Sequence, residues 1–498
     1  MTPPAVHDPR VRWRAFSVCL VASFMTLLDV SIVNVAIPSI RTGLHATQSD
    51  VQWVLSGYAL AFGLTLVPAG RYGDARGRRN VFIAGLALFT VASAAAGLAQ
   101  HATWLVAARL VQGGAAGVLN PQVVALIQQL FPPAERGRPF GLMGATVGIS
   151  TAIGPLLGGL LIQFAGAQEG WRWVFYVNVP VGIAAVVLGW RLIPPRPKER
   201  RRRESLDPVG VALLGAGVLL VLLPLVQEQQ WPGQEKWLLL IAAAVVLAGF
   251  VGWERRHARH REPVVDLGLF QLRSYALGAL IGLLYFAGFT AIFFVYTLYL
   301  QSGLGYSALL AGLAVTPFAL GSAVAATVGG RVVNRFGRPL VAVGLALVVT
   351  GLAGIAGAVS LVPGHAAPLA TAAPLLLAGL GSGLVIAPNQ AITLSEVPPR
   401  MGGSAGAMMQ VCQRIGSAVG IAVVGSVFFA DLAATGGHWS QAFRVALIVA
   451  IGLVLVALAA ALTDVFSGRR TTRQRTPDVH RPPGAHPFEP VPDRRRRP

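Results

Sequence analysis

The chain has 498 residues, a net charge of +20, 54% apolar residues and only 12% charged ones. A soluble globular chain carries about 25% charged residues, and half that share cannot coat a water-soluble body of this size. Soluble enzymes, disordered chains and fibrous proteins are excluded, and a polytopic membrane protein remains. The excess Lys and Arg lie in short runs between apolar stretches, as inner loops do, so nucleic-acid binding is not expected.

Apolar stretches fall at about 15–38, 51–69, 81–99, 103–130, 139–164, 173–193, 209–227, 237–253, 274–300, 308–330, 339–362, 367–394, 403–430 and 442–466. Each is long enough for a helix to cross a bilayer, and lipid forces backbone polar groups to bond internally. The expected fold is an all-α integral membrane protein with 14 transmembrane helices. Of the 40 Lys+Arg, 34 fall on the side of the termini, four on the other, and Arg109 and Arg414 inside spans. That bias puts both termini in the cytoplasm. The first apolar run is long and leads into Asp29 and Asn34, so it reads as a retained span rather than a cleaved signal.

Asp29, in the first span, is the one acid expected at mid-membrane. A carboxylate there is costly and marks function by default. It can carry a proton, or it can cap a broken helix. After the second span comes Gly70-Arg71-Tyr72-Gly73-Asp74-Ala75-Arg76-Gly77-Arg78. In the fourth span Arg109 is the cation available to Asp29, with Gln112 and Gly113 on its face. The pair is either a switch that opens on protonation or a static tie. The fifth span carries Gly144, Gly148, Gly154, Pro155, Gly158 and Gly159, where Pro155 bends the helix and the glycines admit a neighbour closely.

The runs Lys198 to Glu204 and Arg255 to Glu262 bound a two-span insertion. In the ninth span Tyr285, Phe289 and Phe293 recur at i, i+4 and i+8, facing either a cavity, where they would hold drugs by packing and cation–π attraction, or lipid. The loop after the tenth span reads Gly330-Arg331-Val332-Val333-Asn334-Arg335-Phe336-Gly337-Arg338, which repeats Gly, Arg, Gly and Arg of the earlier loop at an offset of 260. A six-plus-six duplication with a midplane site is transporter architecture.

The expected domains are a cytoplasmic N-terminus (1–14), a six-helix bundle (15–195), a basic linker with two inserted helices (196–262), a second six-helix bundle (263–468) and a disordered basic cytoplasmic tail (469–498). The Arg494 to Arg497 run at its end either touches anionic headgroups or is simply solvated. Cys19 and Cys412 sit in apolar runs, and no Cys/His cluster has metal spacing, so no metal is expected. Gly402-Gly403-Ser404-Ala405-Gly406 and Gly379-Leu380-Gly381-Ser382-Gly383 imitate enzyme motifs but lie in or beside apolar spans, without the strand context those motifs need. No Walker A run occurs. A membrane-embedded sensor or enzyme would need a sizeable soluble domain, which the chain lacks.

With these residues in hand, the sequence resembles the major facilitator superfamily, and within it the fourteen-span drug:proton antiporters. The resemblance covers about 15–466. It rests on Leu28-Asp29-Val30-Ser31-Ile32-Val33-Asn34-Val35-Ala36-Ile37-Pro38, the Gly70–Arg78 loop, Arg109 with Gln112-Gly113, Gly144 to Gly159, Trp171-Arg172-Trp173-Val174-Phe175-Tyr176-Val177-Asn178-Val179-Pro180, and Leu300-Gln301-Ser302-Gly303-Leu304-Gly305-Tyr306-Ser307. The loop departs at Ala75, where the family pattern has a basic residue; Arg76 follows. The resemblance implies a multi-pass protein of the bacterial cytoplasmic membrane, not an enzyme. It would export a small amphipathic drug or antibiotic in exchange for protons, with no cofactor and no obligate protein partner. Asp29 and Arg109 would couple protons, and Gly70, Asp74, Arg76, Gly77 and Arg78 would gate the cytoplasmic side. Asn34, Tyr58, Gln112, Tyr285, Phe289, Phe293 and Gln301 would line the substrate cavity. The second half holds no mid-membrane acid, so neutral, monocationic and anionic substrates stay open. The alternative reading is an exporter of one native metabolite.

Overall fold

The computed structural model describes residues 8–166, 168–195, 207–226, 231, 233–259, 263–362 and 364–474. Among them are 14 helices long and apolar enough to cross a membrane. Spans 1 to 6 are Pro9–Gly43, Gln48–Arg76, Arg78–Gly97, Ala102–Leu130, Pro133–Ala165 and Gly170–Leu192. Spans 7 and 8 are Pro208–Leu225 and Gln234–His257. Spans 9 to 14 are Arg273–Gly303, Leu309–Phe336, Arg338–Leu361, Gly364–Thr393, Pro399–Ala434 and Trp439–Phe466. No strand occurs among the described residues.

Most of the helices outrun the apolar stretches, because polar caps carry them into water. Span 1 starts at Pro9, ahead of position 15, since the Asp8 side chain accepts from the Arg10 N–H and Pro suits the first turn. The last helix runs on to Gln474, so residues 469–474 are helical, contrary to the disordered tail expected there. The Lys198–Glu204 run and the tail from 475 onward lie outside the described residues. A reciprocal Thr47–Asp50 capping box starts span 2.

The repeat in sequence is a repeat in backbone. Gly77 (φ 108) parts spans 2 and 3, and Gly337 (φ 58) parts spans 10 and 11. Both lie in the region where a side chain is strained. Helix packing repeats too. A methyl on Gly113 or Gly117 of span 4 would strike the carbonyls of Tyr58 or Phe62 in span 2, and one on Gly379 or Gly383 of span 12 would strike those of Phe318 or Ser322 in span 10. Likewise Gly154 and Gly158 seat span 5 on Ser31 and Ile32 of span 1, while Gly416 and Gly420 seat span 13 on Leu283 and Ala287 of span 9.

The halves meet through spans 2 and 13 and through spans 5 and 10. A Cβ on Gly70 would lie 2.5 Å from the Gly403 carbonyl, one on Gly141 2.7 Å from the Ala326 carbonyl and one on Gly148 2.6 Å from the Ala319 carbonyl. Spans 7 and 8 dock on the outside of this frame, where Leu222 meets Gly63 of span 2. Trp253 Nε1 donates to Asp207 (2.7 Å) and ties the two inserted helices together. Large apolar side chains such as Val91, Trp190, Ile241 and Ile448 remain exposed on the outer surface, which is where lipid takes the place of a protein partner.

Candidate functional site

Inside the first half, four helices bring polar side chains to one buried point. Asp29 is 0% exposed and Arg109 1%. The Arg109 guanidinium meets Asp29 Oδ2 at 2.5 Å. Asp29 Oδ1 accepts from Gln112 Nε2 (2.9 Å) and from Asn178 Nδ2 (3.0 Å). Arg109 also donates to Gln112 Oε1 (2.8 Å) and, through Nε, to the Val54 carbonyl (3.1 Å). Its face lies over the Tyr58 ring, 4.2 Å from the centroid. Asn178 Nδ2 reaches Ser93 Oγ at 3.1 Å.

The carboxylate therefore has two amide donors and one guanidinium. A charge buried without such partners would cost several kcal/mol, and a proton on Asp29 would remove the reason for Arg109 to stay. Asn178 and Ser93 were not singled out as site residues. They come from spans 6 and 3, far away in sequence; the signal available was Asn178, a polar residue in an apolar run with an acid to receive its N–H.

Of the residues expected to line a cavity, three are buried against partners on other helices. Gln112 is fully buried in the Asp29 cluster, because its amide can serve the acid and the guanidinium together. Tyr58 is 5% exposed, capped by Arg109. Tyr285 is 0% exposed and its hydroxyl donates to Ser382 Oγ of span 12 (2.8 Å), so it belongs to the core of the second half. Phe289 and Phe293 are half-buried against Phe318 of span 10. Gln301 is exposed in the π-turn Tyr299–Gly303 that ends span 9. Asn34 is exposed on span 1, on the same face as Val30 and Pro38.

The second polar cluster joins the halves at the end of span 2. Asp74 Oδ1 accepts from the Gly403 N–H (3.1 Å), and Oδ2 from the Ser404 N–H (2.9 Å) and hydroxyl (3.2 Å). The acid thus sits at the N-terminus of span 13, where the helix dipole favours an anion. Arg78 grips Asp74 Oδ1 through Nη2 (2.7 Å) and Nε (3.1 Å), and donates to the carbonyls of Ala125 (2.8 Å) and Pro399. Arg76, expected to share this latch, is exposed and lies over Tyr72 instead; Arg78, just past the Gly77 break that starts span 3, is the arginine that reaches Asp74. In the repeat, Asn334 donates to the Ala134 carbonyl across the halves, while Arg338 pairs with Asp464 of span 14 (2.8 Å). The halves are closed at this end. Gly159, toward the far end of span 5, has only Leu309 near a would-be Cβ, at 3.5 Å.

Two pseudo-symmetric six-helix halves joined across a latch are the architecture of a membrane transporter. The sequence model of the Major Facilitator Superfamily matches residues 19–421 and, in an overlapping second match, 278–495. The chain belongs to the Major Facilitator Superfamily. It is 37% identical over 432 residues, 84% of this chain and 72% of the other, to the "Probable actinorhodin transporter" of Streptomyces coelicolor. It is 35% identical over 486 residues, 93% of each chain, to a puromycin resistance protein of Streptomyces alboniger. Its fold is similar to that of the human organic anion transporter structure, with a TM-score of 0.68 over 92% of this chain and all of the other, at 17% identity. With 14 spans and these relatives, it is a multi-pass bacterial membrane protein.

Proposed function

We propose that the protein exports an amphipathic antibiotic or drug from the cell in exchange for protons. The observation that carries this reading is the buried Asp29–Arg109–Gln112–Asn178 cluster, a proton-sized switch inside the half that spans 2 and 5 join to the other. Relatives named for actinorhodin transport and puromycin resistance support an exported substrate of that class. Both termini face the cytoplasm in this reading, which puts the Asp74–Arg78 latch on the cytoplasmic side. The latch is shut, so the cytoplasmic side is closed in this reading. Releasing it lets the halves rock and exposes the central space inward.

The drive is adequate. One charge moved across 100 mV is worth about 2.3 kcal/mol, or roughly fifty-fold accumulation, and a pH gradient adds to it. Neither ATP nor a cofactor is required, and the chain performs no covalent chemistry. The test uses inside-out vesicles with an imposed proton gradient and a panel of antibiotics and dyes, puromycin among them. Uptake of a compound that also dissipates the gradient supports antiport. If no panel compound moves, the reading gives way to an exporter of one native metabolite. If compounds move without any effect on the gradient, proton coupling fails.

A further inference from the structure

The first half buries its membrane arginine among four partners, yet the second half leaves its own bare. Arg414 stands near the middle of span 13, 15 residues from Pro399 and 20 from Ala434. Its position is 7 and 11 residues after Ala407 and Gly403, which meet Gly70 of span 2. Those spacings put all three on one face of the helix. Arg414 therefore points at span 2, into the space between the halves. Its guanidinium lies over the Phe62 ring, 4.4 Å from the centroid. The residue is exposed. Among the described residues no carboxylate pairs with it, and none of its five N–H donors meets a protein acceptor.

A guanidinium kept only for structure would be paired, as Arg136 and Arg338 are. One that is unpaired at mid-membrane is costly and marks a site. The surroundings also fix its plane. Tyr58 and Phe62 are one helical turn apart, and their rings are near parallel (20°) with centroids 6.4 Å apart. Arg109 covers the Tyr58 ring and Arg414 the Phe62 ring. One face of the Arg414 guanidinium is thus occupied by the ring, while its edge, which carries the donors, stays open. An open guanidinium edge matches a carboxylate or phenolate in two parallel bonds.

We propose that Arg414 seats the anionic group of the exported compound, making aromatic carboxylates or phenolates the preferred substrate class. The proposal rests on the export reading above. An anion leaving and a proton entering both run down an inside-negative potential, so the two fit one cycle.

The test is equilibrium binding, which does not depend on transport. Purified full-length protein in nanodiscs is titrated with anthraquinone-2-carboxylate, anthraquinone-2-carboxamide and 2-(aminomethyl)anthraquinone, three probes on one scaffold, and tryptophan quenching is followed. Bonds to a charged group predict that the carboxylate binds about tenfold to a hundredfold tighter than the carboxamide. Arg414→Gln should reduce that ratio to near one, and Arg414→Lys should keep part of it. The wild-type ratio needs no variant, so a misfolded variant leaves the test intact. Equal binding of carboxylate and carboxamide to wild type overturns the proposal. So does a preference that survives Arg414→Gln, or binding of none of the three probes. If the vesicle experiment shows proton-coupled export while these ratios are flat, only the anion seat falls. If the ratios hold while nothing is exported, only the export reading falls.

Discussion

Replacing Asp74 with Asn should unlatch the halves at the end that is now closed. The carboxylate accepts from two backbone N–H groups and one hydroxyl of span 13, and from two nitrogens of Arg78. Asn keeps one acceptor oxygen and turns an NH2 toward groups that are themselves donors. Two charge-assisted bonds, each worth about 1.5–3 kcal/mol, are lost or inverted. Part of that is recovered when the latch opens to water, and a net cost of about 3 kcal/mol is a reasonable figure. Since about 1.4 kcal/mol is a factor of ten, the balance should move roughly a hundredfold toward the opened state. Spin labels at Arg76→Cys and Arg400→Cys, both exposed beside the latch, read this out when Cys19 and Cys412 are replaced by Ala. Electron–electron resonance in nanodiscs should give one short distance for the parent and a second, longer population for Asp74→Asn. A distribution unchanged by Asp74→Asn would refute the assignment of Asp74 as the latch.

Three further outcomes follow from the packing and the buried cluster. Gly113→Ala drives a methyl into the Tyr58 carbonyl and should cost about 1–3 kcal/mol of stability in thermal unfolding, whereas Gly357→Ala, with open space around it, should not. Asn178→Ala removes a donor from Asp29 and one from Ser93; proton-driven uptake in vesicles should fall by about tenfold, as for a loss of about 1.4 kcal/mol, while dye binding at equilibrium is kept. Trp253→Phe breaks the bond to Asp207 and should lower the unfolding temperature by the equivalent of about 1–2 kcal/mol. Because spans 7 and 8 lie outside the two halves, uptake should be unchanged, and a lost uptake would give them a role in the cycle.

Much of the fold was legible, because a bilayer leaves the chain few options. Apolar length marked all fourteen spans, and the repeated Gly, Arg, Gly and Arg marked the duplication that reappears as Gly77 and Gly337 turns. The meeting of Asp29 and Arg109 was readable for the same reason: two opposite charges in apolar spans of one half have nowhere else to go. The helix ends were less readable, since caps such as Asp8 and Thr47 act through geometry that apolarity does not report. Side-chain direction was the harder matter. Gln112 and Tyr285 looked like cavity residues, but each found a buried partner on another helix. The arginine next to Asp74 in the latch depends on the break at Gly77, which brings Arg78 rather than Arg76 onto the acid. Arg414 carried the same signal as Arg109, a lone charge in an apolar span. What separates them is that one is enclosed by partners and the other is not, and that belongs to the tertiary structure.

If Asp29 carries the exchanged proton, as proposed, the exported compound should displace it. The most direct measurement adds a transported compound to purified protein in weakly buffered solution and follows released protons with a pH indicator, for wild type and Asp29→Asn. Wild type should release protons and Asp29→Asn none, while the variant still binds the compound. Equal release from Asp29→Asn would contradict it and place the proton elsewhere.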